Sequence, residues 1–483
     1  MRDARKRLRA RADCRLQQPS FIVQAMTPLT QAYADFAATA ATLAPPDEAL
    51  HTATTGFVDA LGVMLAGARE PVVDVLARWA AAQGGAAQAA LAGRAQRAPA
   101  ALAACVNATA AHAMDYDDFA FSNHPSAVLV PAILAAAQAG TRPVPGALAL
   151  RAYIAGYEVW ADAFGREKDL YYDRGWHPTA VLGTLGATVA ASVVWGLDAE
   201  RTRHALALAA SSAGGVFENF GTMAKPYHGG RAAEVGVQAA TLAAHGLQAS
   251  ATAIEGGRGM LRAFSPQGRV DLDTPFPAGA PWRIRQYRLN LKRYPVVGAA
   301  QRGIDAMLGL RGEHPVDPQR VRSLVAHVSV RHAAVMPYHL PQDALQAKFS
   351  LEFALCCALV HGQVGFAELR DEVVREPLMQ RLMSAVRTET TEDFEPGWRD
   401  AAPFDQVFVH LDDGRELASP QVRRPLGHAD RPLDTAQVGA KFMGCTAHAG
   451  IGEAQAGELL DALWSIGTLP DARALPWPLT ADR

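Results

Sequence analysis

The chain of 483 residues has few cysteines and almost no net charge, and each shortage excludes a class of protein. Its five cysteines are scattered apart from the adjacent Cys356 and Cys357, and no CxxC motif suggests a disulfide framework or a zinc site. The 46 Lys and Arg residues against 48 Asp and Glu residues give a formal charge of −2, so no basic field exists for nucleic acid or an anionic membrane. We therefore expect a protein of the reducing cytoplasm with no nucleic-acid or membrane partner.

Common catalytic motifs are missing as well. The sequence has no GxSxG nucleophile elbow and no HExxH zinc motif. The glycine-rich run at residues 256–259 lacks the Lys-Ser/Thr that would make it a phosphate loop, and no predicted strand precedes it. Because Cys356 and Cys357 lie on a predicted core helix, a thiol nucleophile is not favoured either.

Residues 1–25 do not predict a secretory signal, because the seven Lys and Arg residues at the start are not followed by an apolar region. The Arg-rich composition resembles a transit peptide, but Asp3 and Asp13 are unusual in one. We favour a disordered extension, or a start codon upstream of Met26. The uncharged run at residues 178–197 is long enough to cross a bilayer, but its threonines and glycines favour a buried helix.

Hydrophobic residues make up 49% of the chain, which is enough for a large core. Apolar residues at helical spacing over residues 47–67 follow a Pro-Pro-Asp start signal, and similar Ala- and Leu-rich stretches recur to about residue 265. Gly140, Gly196 and Gly246 are predicted to end three of these helices. The pattern indicates a closely packed helical body.

The hydrophobic pattern changes near residue 270. Apolar residues alternate over 324–330 and again over 407–411, as in half-buried strands, and the second run precedes an Asp413-Gly414 hairpin signal. The stretch from Ala347 to Val360 has helical spacing. Helical spacing returns near Thr435.

These patterns predict a mainly α fold with two domains. The large all-helical domain is built from both chain ends, at residues 26–271 and 421–483. A smaller α+β lid domain is inserted at residues 272–420, and residues 1–25 precede both as an extension.

Two nearly identical hexapeptides, HPSAVL at residues 124–129 and HPTAVL at residues 177–182, each open a long apolar helical stretch. Proline suits the first helical position, because its missing N–H needs no partner there. His124 and His177 are therefore predicted just outside helix N-termini, where free N–H groups and the helix dipole attract anions. A single His-Pro at a helix start is usually only a cap, but the repetition raises the case for function.

Two further segments place cations before predicted helices, one beginning at Lys225 (KPYHGG) and one at Lys292 and Arg293 (KRYP). A lone lysine is normally solvated surface, but glycines and a histidine surround Lys225 and acids do not. Four helix entrances that carry Lys or His would suit a molecule with several carboxylates.

An acidic run of Asp115, Asp117 and Asp118 precedes His124. On a helix, Asp115 and Asp118 would share one face while Asp117 points away. Three interpretations stay open: a carboxylate that orients a catalytic histidine, a Mg²⁺ site of the isoprenoid-cyclase type, or a cluster that complements a helix dipole. The magnesium interpretation lacks a second ligand cluster later in the chain.

From about residue 30 to about residue 470, the chain resembles the MmgE/PrpD family. Seven motifs occur in the order and at the spacing of that family. They are HAMDYDD at 112–118, HPS at 124–126, HPTAVLGTLG at 177–186, AKPYHGGRAA at 224–233, KRYP at 292–295, AKFS at 347–350 and PLGHADRPL at 425–433.

The resemblance implies a large helical domain, a smaller α+β lid, a homodimer, and a site between the domains with no metal and no cofactor. The family includes 2-methylcitrate dehydratase, cis-aconitate decarboxylase and iminodisuccinate epimerase. By similarity to the decarboxylase, the implied site residues are Asp115, His124, His177, Lys225 and Lys292.

Three positions depart from the decarboxylase pattern. Phe119 stands where the decarboxylases carry Thr, Val297 where they carry His, and Phe353 where they carry Tyr. Each lost hydrogen bond is worth about 0.5–1.5 kcal/mol, or more where a substrate group is left unpaired. The pocket is therefore expected to suit a substrate with fewer carboxylates or an added alkyl group.

The resulting hypothesis is a cofactor-independent lyase acting on a small di- or tricarboxylate. Lys225 and Lys292 would bind carboxylates and stabilise enediolate-like charge. His124 would transfer the proton at carbon, with Asp115 setting its tautomer and pKa, and His177 would assist the leaving hydroxyl or hold a second carboxylate. The predicted substrate-binding set is Lys292, His228, Arg293, Tyr227, Phe119 and Phe353.

Dehydration of a 2-methylcitrate-like hydroxy acid is the first expectation for the reaction. The alternative is decarboxylation or epimerisation of a related polycarboxylate of the cis-aconitate or iminodisuccinate type. A homologue that only binds a carboxylate is a further alternative, motivated by the three apolar replacements.

Overall fold

The computed structural model describes residues 27–396 and 401–478, and these residues are mainly helical. The extension predicted at residues 1–25 lies outside the described residues. The helices of the first part of the chain are α1 (Leu29–Thr39), α2 (Asp47–Gly67), α3 (Pro71–Gln83), α4 (Ala100–Ala113), α5 (Pro125–Ala139), α6 (Gly146–Gly165), α7 (Pro178–Trp195), α8 (Ala199–Ala210), α9 (Ala224–Ala244), α10 (Met260–Phe264) and α11 (Arg283–Tyr287). A short antiparallel pair, β1 (Ala89–Ala90) and β2 (Arg97–Ala98), lies between α3 and α4.

The second part of the chain mixes helices and strands before it becomes helical again. Its elements are α12 (Gln301–Glu313), β3 (Val321–Ser329), α13 (Val330–Ala334), α14 (Ala344–Ala347), α15 (Leu351–His361), α16 (Asp371–Val374), α17 (Pro377–Met383), β4 (Val386–Thr391), β5 (Gln406–Leu411), β6 (Glu416–Ala418), α18 (Thr435–His448) and α19 (Glu453–Trp464).

Several predicted helix boundaries are confirmed. The predicted helix at residues 47–67 is α2, and helix α18 begins at Thr435. Gly196 caps α7 with a left-handed backbone (φ 66°), a conformation that glycine adopts without steric cost. Gly140 directly follows α5, and Gly246 lies two residues beyond the end of α9.

One predicted helix is interrupted. The stretch from Ala347 to Val360 does not form a single helix, because α14 ends at Ala347 and α15 begins only at Leu351. The hydroxyl of Ser350 accepts a hydrogen bond from the backbone N–H of Phe353 at 3.1 Å, which makes Ser350 the N-cap of α15. This cap is the physical reason for the break.

A sheet in the order β4-β3-β5-β6 forms the β part of the described chain. Strand β3 runs parallel to β4 and antiparallel to β5, with Leu324 opposite Val409. Leu324, Ala326 and Val328 are buried, as the alternating pattern predicts, but Val330 starts α13 instead of continuing the strand. Strands β5 and β6 form the predicted hairpin around Asp413-Gly414.

The buried hydrophobic residues fall into two large clusters. The first takes its members from residues 29–291 and 438–475, and the second from residues 294–411, which include α12, α15 and the sheet. Ile284, Leu289 and Leu291 pack in the first cluster, although the sequence places them in the inserted domain. The two clusters therefore meet close to residue 293, and the predicted domain bounds and the lid role of the inserted unit stay predictions.

Two helices, α2 and α7, are long and apolar enough to cross a membrane by length and composition alone. In both, most of the apolar segment is buried inside the fold, 78% of it in α2 and 94% in α7. Core helices of globular proteins meet the same criterion, so these two helices are weak indications of a membrane span.

Close packing between α7 and α9 depends on small residues. A Cβ atom added at Gly236 of α9 would lie 2.4 Å from Ala187 Cβ and 2.6 Å from the Ala187 carbonyl carbon. Because the second of these atoms belongs to the backbone, the helices would have to move apart. This contact sets the distance between α7 and α9, whose N-terminal ends carry His177 and Lys225.

We expect Gly236→Ala to lower the free energy of unfolding by about 1–3 kcal/mol, because overpacking forces backbone shifts in a dense core. Urea or thermal unfolding measures the change. The matched control is Gly457→Ala in α19, where an added Cβ meets nothing within 4 Å. That change should raise stability by up to about 1 kcal/mol through helix propensity, and an equal loss in both variants would contradict the packing argument.

Candidate active site

The two repeated hexapeptides meet at their histidines. His124 and His177 are the N-cap residues of α5 and α7, and Pro125 and Pro178 are the first helical residues, as predicted. The backbone N–H of His124 donates to Thr179 Oγ1 at 3.2 Å, which ties the start of α5 to the start of α7. The two imidazole rings lie 6.4 Å apart, centre to centre. The repetition in the sequence thus reflects two helix starts that face one site.

The two lysines reach the same site from other kinds of segment. Helix α9 begins at Ala224, so Lys225 and His228 lie within its first turns and not before it. Lys292 lies in an irregular segment, nine residues before α12. The prediction that Lys225 lies before its helix is therefore wrong, whereas Lys292 does precede α12. Both side chains are buried and converge on Asp115.

Asp115 binds both ammonium groups. Its Oδ1 pairs with Lys225 Nζ in a very short contact and lies 3.2 Å from Lys292 Nζ, which also donates to the Asp115 backbone carbonyl at 2.8 Å. No acid is close to Lys225 in the sequence, so this contact depends on the tertiary fold. Burial raises the pKa of the Asp115 carboxyl, but the two lysines outweigh burial and hold that pKa below its usual value. Burial lowers the pKa of Lys225, and Asp115 offsets part of that effect.

Asp117, not Asp115, is the carboxylate that orients His124. Asp117 Oδ2 lies 2.9 Å from His124 Nδ1 and 3.0 Å from His112 Nδ1. The predicted helix face does not form, because α4 ends at Ala113 and Asp115 has a left-handed backbone (φ 47°) that turns the next residues inward. Burial raises the pKa of Asp117, but the two histidines outweigh burial and hold it well below its usual value.

A second ionic contact fixes the acidic loop, residues 114–118, on the side that faces α2 and α18. Lys441 Nζ of α18 lies 2.6 Å from Asp59 Oδ1 and donates to the backbone carbonyl of Tyr116 at 2.7 Å. Asp59 Oδ2 accepts the backbone N–H of Asp118 at 3.0 Å, and Ser126 Oγ donates to the Asp118 carboxyl at 2.8 Å. Burial, together with the neighbouring carboxylates of Asp59 and Asp117, raises the pKa of Asp118 well above its usual value. These bonds fix the loop on which Asp115 and Asp117 depend.

The imidazoles of the site are held neutral. Burial lowers the pKa of His112 to about 3, with Lys225 adding to that effect and Asp117 opposing it. Burial also lowers the pKa of His228 to about 4 and that of His177 well below its usual value. Burial lowers the pKa of His124, although Asp117 opposes this. Near pH 7 each ring therefore offers one N–H donor and one acceptor nitrogen.

Several buried polar atoms of the site have no hydrogen-bond partner within the described residues. They include His112 Nε2, Asp115 Oδ2 and His177 Nε2. Unsatisfied buried polar atoms are costly, and a cluster of them at one place is typical of a site that a ligand completes. Their position beside two lysines indicates a ligand with negative charge and hydrogen-bonding oxygens.

The same residues include a possible metal-ligand set. His112, Asp115, Asp117 and His124 each offer one ligand atom, and these atoms lie within 4.8 Å of one another. The site with no metal that the resemblance implies stays a prediction. The ammonium groups of Lys225 and Lys292 lie against Asp115, however, and they would repel a divalent cation at that carboxylate. The charges favour an anionic ligand over a metal.

The other residues that were predicted to bind substrate do not join the buried cluster around Asp115. Arg293 is exposed, with its guanidinium 5.5 Å from the Tyr294 ring and 4.0 Å from Asp305, so it turns away from the lysines. Phe353 is fully buried in the second hydrophobic cluster. Tyr227 is half-buried in α9, and Phe119 pairs through its backbone with Asn290, two residues before Lys292.

The sequence interpretation gave no role to His112, Asp117, Asp59 or Lys441. The spacing of His112 and Asp117 carries a weak signal, since five residues across a helix end let the two side chains meet. Asp59 and Lys441 are 382 residues apart in the chain, and only the tertiary fold brings them together.

Comparisons with known proteins identify one family over both parts of the chain. The MmgE/PrpD N-terminal domain matches residues 31–273, and the MmgE/PrpD C-terminal domain matches residues 294–466. Cis-aconitate decarboxylase from Homo sapiens is 30% identical over 359 residues, and the enzyme of the same name from Mus musculus is 29% identical over 361 residues, with 72% of each chain covered in both. Cis-aconitate decarboxylase from Aspergillus terreus is 24% identical over 367 residues, which cover 70% of this chain and 73% of the relative.

Removing one buried neutral histidine should change how stability depends on pH. Folding lowers the pKa of His112 from 6.5 to about 3, so between these values the unfolded chain holds a proton that the folded chain lacks. Stability is therefore lost as pH falls through this window, by about 1.4 kcal/mol per pH unit for one proton. In urea unfolding between pH 4 and 6, we expect the free energy of unfolding to fall less per pH unit in His112→Asn than in the wild type. The Asn side chain keeps an amide donor near the Nδ1 position.

The matched control for this measurement is His245→Asn, an exposed histidine just after α9. Its imidazole meets water in both states, so the slope should not change. Equal slopes for wild type and His112→Asn would contradict the burial of a neutral imidazole at residue 112.

Proposed function

The chain belongs to the MmgE/PrpD family, and from its site we propose that it is a cofactor-independent lyase acting on a small di- or tricarboxylate. The observation that carries this proposal is the convergence of Lys225 and Lys292 on one buried carboxylate among neutral imidazoles. Relatives with 29% and 30% identity are named cis-aconitate decarboxylases, which supports polycarboxylate chemistry.

The two ammonium groups support binding of an anion. Lys225 and Lys292 both face the single carboxylate of Asp115, so one positive charge is in excess at that carboxylate, while Asp117 keeps its negative charge and bonds to two neutral imidazoles. Lys225 Nζ also lies 5.4 Å from the Phe220 ring centre and 5.1 Å from that of Phe349. Apolar walls lower the local dielectric and strengthen the attraction between an ammonium group and a substrate carboxylate.

The proposed reaction removes a proton from the carbon next to a substrate carboxylate. Lys225 and Lys292 bind that carboxylate and stabilise the enediolate-like charge that develops, a kind of contribution worth about 10²–10³ in rate per donor. His124 takes the proton, and Asp117 holds its Nδ1 so that Nε2 can act as the base. This changes the role first expected for Asp115, which positions the lysines instead.

His177 completes the proposed reaction. Its Nε2 is buried, has no partner in the part of the chain that the structure describes, and can donate a proton to a departing hydroxyl group. Loss of that hydroxyl as water gives an unsaturated acid, and the electron pair from the broken C–H bond forms the double bond. In a decarboxylation, the electron pair of the broken C–C bond enters the same lysine-stabilised system. The N–H of a neutral imidazole then gives its proton to carbon, and solvent replaces that proton.

We propose dehydration of a 2-methylcitrate-like acid first, because of apolar residues beside Lys292. Phe119 pairs with the segment before Lys292, and a Cβ added at Gly298 would lie 3.2 Å from the Phe119 ring. Val297 is buried in the same segment. An alkyl group on the substrate would find apolar partners there. Decarboxylation of cis-aconitate is the second candidate, and the names of the relatives favour it.

Incubating the protein with 2-methylcitrate and cis-aconitate in D₂O, followed by proton NMR, should show loss of water from the first acid. Loss of CO₂ from the second acid would favour the decarboxylase instead. Lys225→Met and Lys292→Met should each reduce kcat/KM by about 100-fold, because each removes a donor to the developing charge. The matched control, Lys168→Met, changes an exposed lysine and should leave kcat/KM unchanged.

Dialysis against EDTA is expected to leave turnover unchanged, since the lysines occupy the carboxylate that a metal would need. Full activity in either lysine variant, or activity that requires an added divalent cation, would contradict the proposal. Thermal stabilisation by these acids without turnover or deuterium incorporation would instead identify a carboxylate-binding protein.

A further inference from the structure

His228 contacts His177, and it was predicted to bind substrate. The Nδ1 atoms of the two rings lie 3.2 Å apart, within hydrogen-bond distance. His177 is fully buried and its Nε2 has no partner among the described residues, whereas His228 keeps 7% of its surface exposed. The pair therefore runs from the interior of the site to an imidazole that still reaches solvent.

The two tautomers of this pair are coupled. Both rings are neutral near pH 7, so each carries one N–H. A hydrogen bond between two Nδ1 atoms needs one hydrogen, which belongs to one ring only. If His228 Nδ1 donates, His177 must carry its hydrogen on Nε2, and that nitrogen is then a donor toward the site. If His177 Nδ1 donates, its Nε2 becomes an acceptor.

We propose that His228 is a positioning residue that sets the tautomer of His177 and relays a proton to it from solvent. This inference rests on the proposed function, because a relay matters only when His177 gives up or takes a proton. His228 itself does not touch the substrate in this proposal.

The relay keeps atoms and charges balanced. His177 Nε2–H gives its proton to the departing hydroxyl, and His177 Nδ1 takes the proton of His228 Nδ1. His228 Nε2 then takes a proton from water or buffer. Both imidazoles end neutral with exchanged tautomers, and the Nδ1–H···Nδ1 bond remains, now donated by His177. The reverse transfers restore the pair after the product leaves and water gives a proton to His177 Nε2.

The surroundings of the pair favour transfer through neutral rings. Lys225 and His112 face both imidazoles and oppose a positive charge on either, and His124 also faces His177. The Phe220 ring lies 4.9 Å from that of His177 and covers one side of it. No described carboxylate pairs with His177 or His228, so a lasting imidazolium has no partner there.

Gly215 contacts both members of the histidine pair. The backbone N–H of His177 donates to the Gly215 carbonyl at 3.0 Å. A Cβ at Gly215 would lie 3.2 Å from the His228 ring and 2.5 Å from Ala180 Cβ. The absence of a side chain lets this segment press against both His228 and the start of α7.

His228→Asn tests the relay directly. The Asn side chain keeps an amide donor close to the Nδ1 position, so it can orient His177, but it cannot accept a proton and pass it on. We expect kcat to fall at least tenfold with KM changed less than twofold, and the solvent deuterium isotope effect on kcat to rise. In His228→Ala we expect an equal fall in kcat, and added imidazole should restore part of it.

The matched control is His204→Asn on α8, a half-buried histidine whose Nδ1 bonds to the backbone of Ala249, and it should keep wild-type kcat. A His228→Asn enzyme with wild-type kcat and isotope effect would overturn the relay. So would a fall in kcat/KM that comes entirely from a higher KM, because that result would make His228 a substrate contact.

A second measurement does not depend on turnover. Nitrogen-15 NMR of histidine-labelled protein should show opposite tautomers for His177 and His228, with one Nδ1–H and one Nε2–H. Two Nε2–H tautomers would overturn the inference whether or not the protein is a lyase. Opposite tautomers in a protein that turns over no acid would instead leave the coupling in place and reject the proposed function.

Discussion

In this protein the carboxylate of Asp115 holds the ammonium groups of Lys225 and Lys292 in a place buried from solvent. An unpaired charge costs several kcal/mol in such a place, so the two lysines are tolerable only while that carboxylate stays between them. Three segments have to meet for this contact: the loop after α4, the first turn of α9, and the segment before α12. The packing of α7 against α9 and the division of the core into two clusters serve to bring them together.

The acidic loop is itself restrained from both sides. Asp59 and Lys441 bind its backbone from the α2 and α18 side, while His112 and His124 bind Asp117 from the other side. Burial then keeps the imidazoles neutral, so the site holds donors and acceptors without adding positive charge beyond the lysines. A polyanionic ligand would meet charges and hydrogen-bonding atoms that are already oriented, which reduces the reorganisation needed during reaction.

Sequence patterns predicted the parts of this arrangement that local rules control. The spacing over residues 47–67 marked α2, and the repeated His-Pro motif correctly placed His124 and His177 at helix starts, because proline and cap preferences act within a few residues. The resemblance of the motifs pointed to the family and predicted that Lys225 and Lys292 belong to one site. The break at Ser350 was missed, since a single hydroxyl cap overrode an apolar pattern that suits a helix.

The conformation of the acidic loop could not be predicted in the same way. Helical spacing assigned Asp115 and Asp118 to one face and turned Asp117 away, but the left-handed backbone at Asp115 reverses that assignment. Asp115 is held there by lysines 110 and 177 residues later in the chain, so tertiary ion pairs decide its conformation. Likewise, no local pattern separates Arg293, which points outward, from its neighbour Lys292, which points into the site.

The most direct test of the account is the calorimetric binding of cis-aconitate and 2-methylcitrate to the His124→Asn protein at pH 6, in two buffers with different heats of ionisation. A carboxylate placed beside the imidazoles raises their pKa from the low values that burial gives them, so binding should take up protons. The account predicts that at least one acid binds with net proton uptake. The affinity for that acid should fall at least tenfold in the double variant that combines His124→Asn with Lys292→Met. Binding with no proton uptake and no dependence on Lys292, or no binding of either acid, would contradict it.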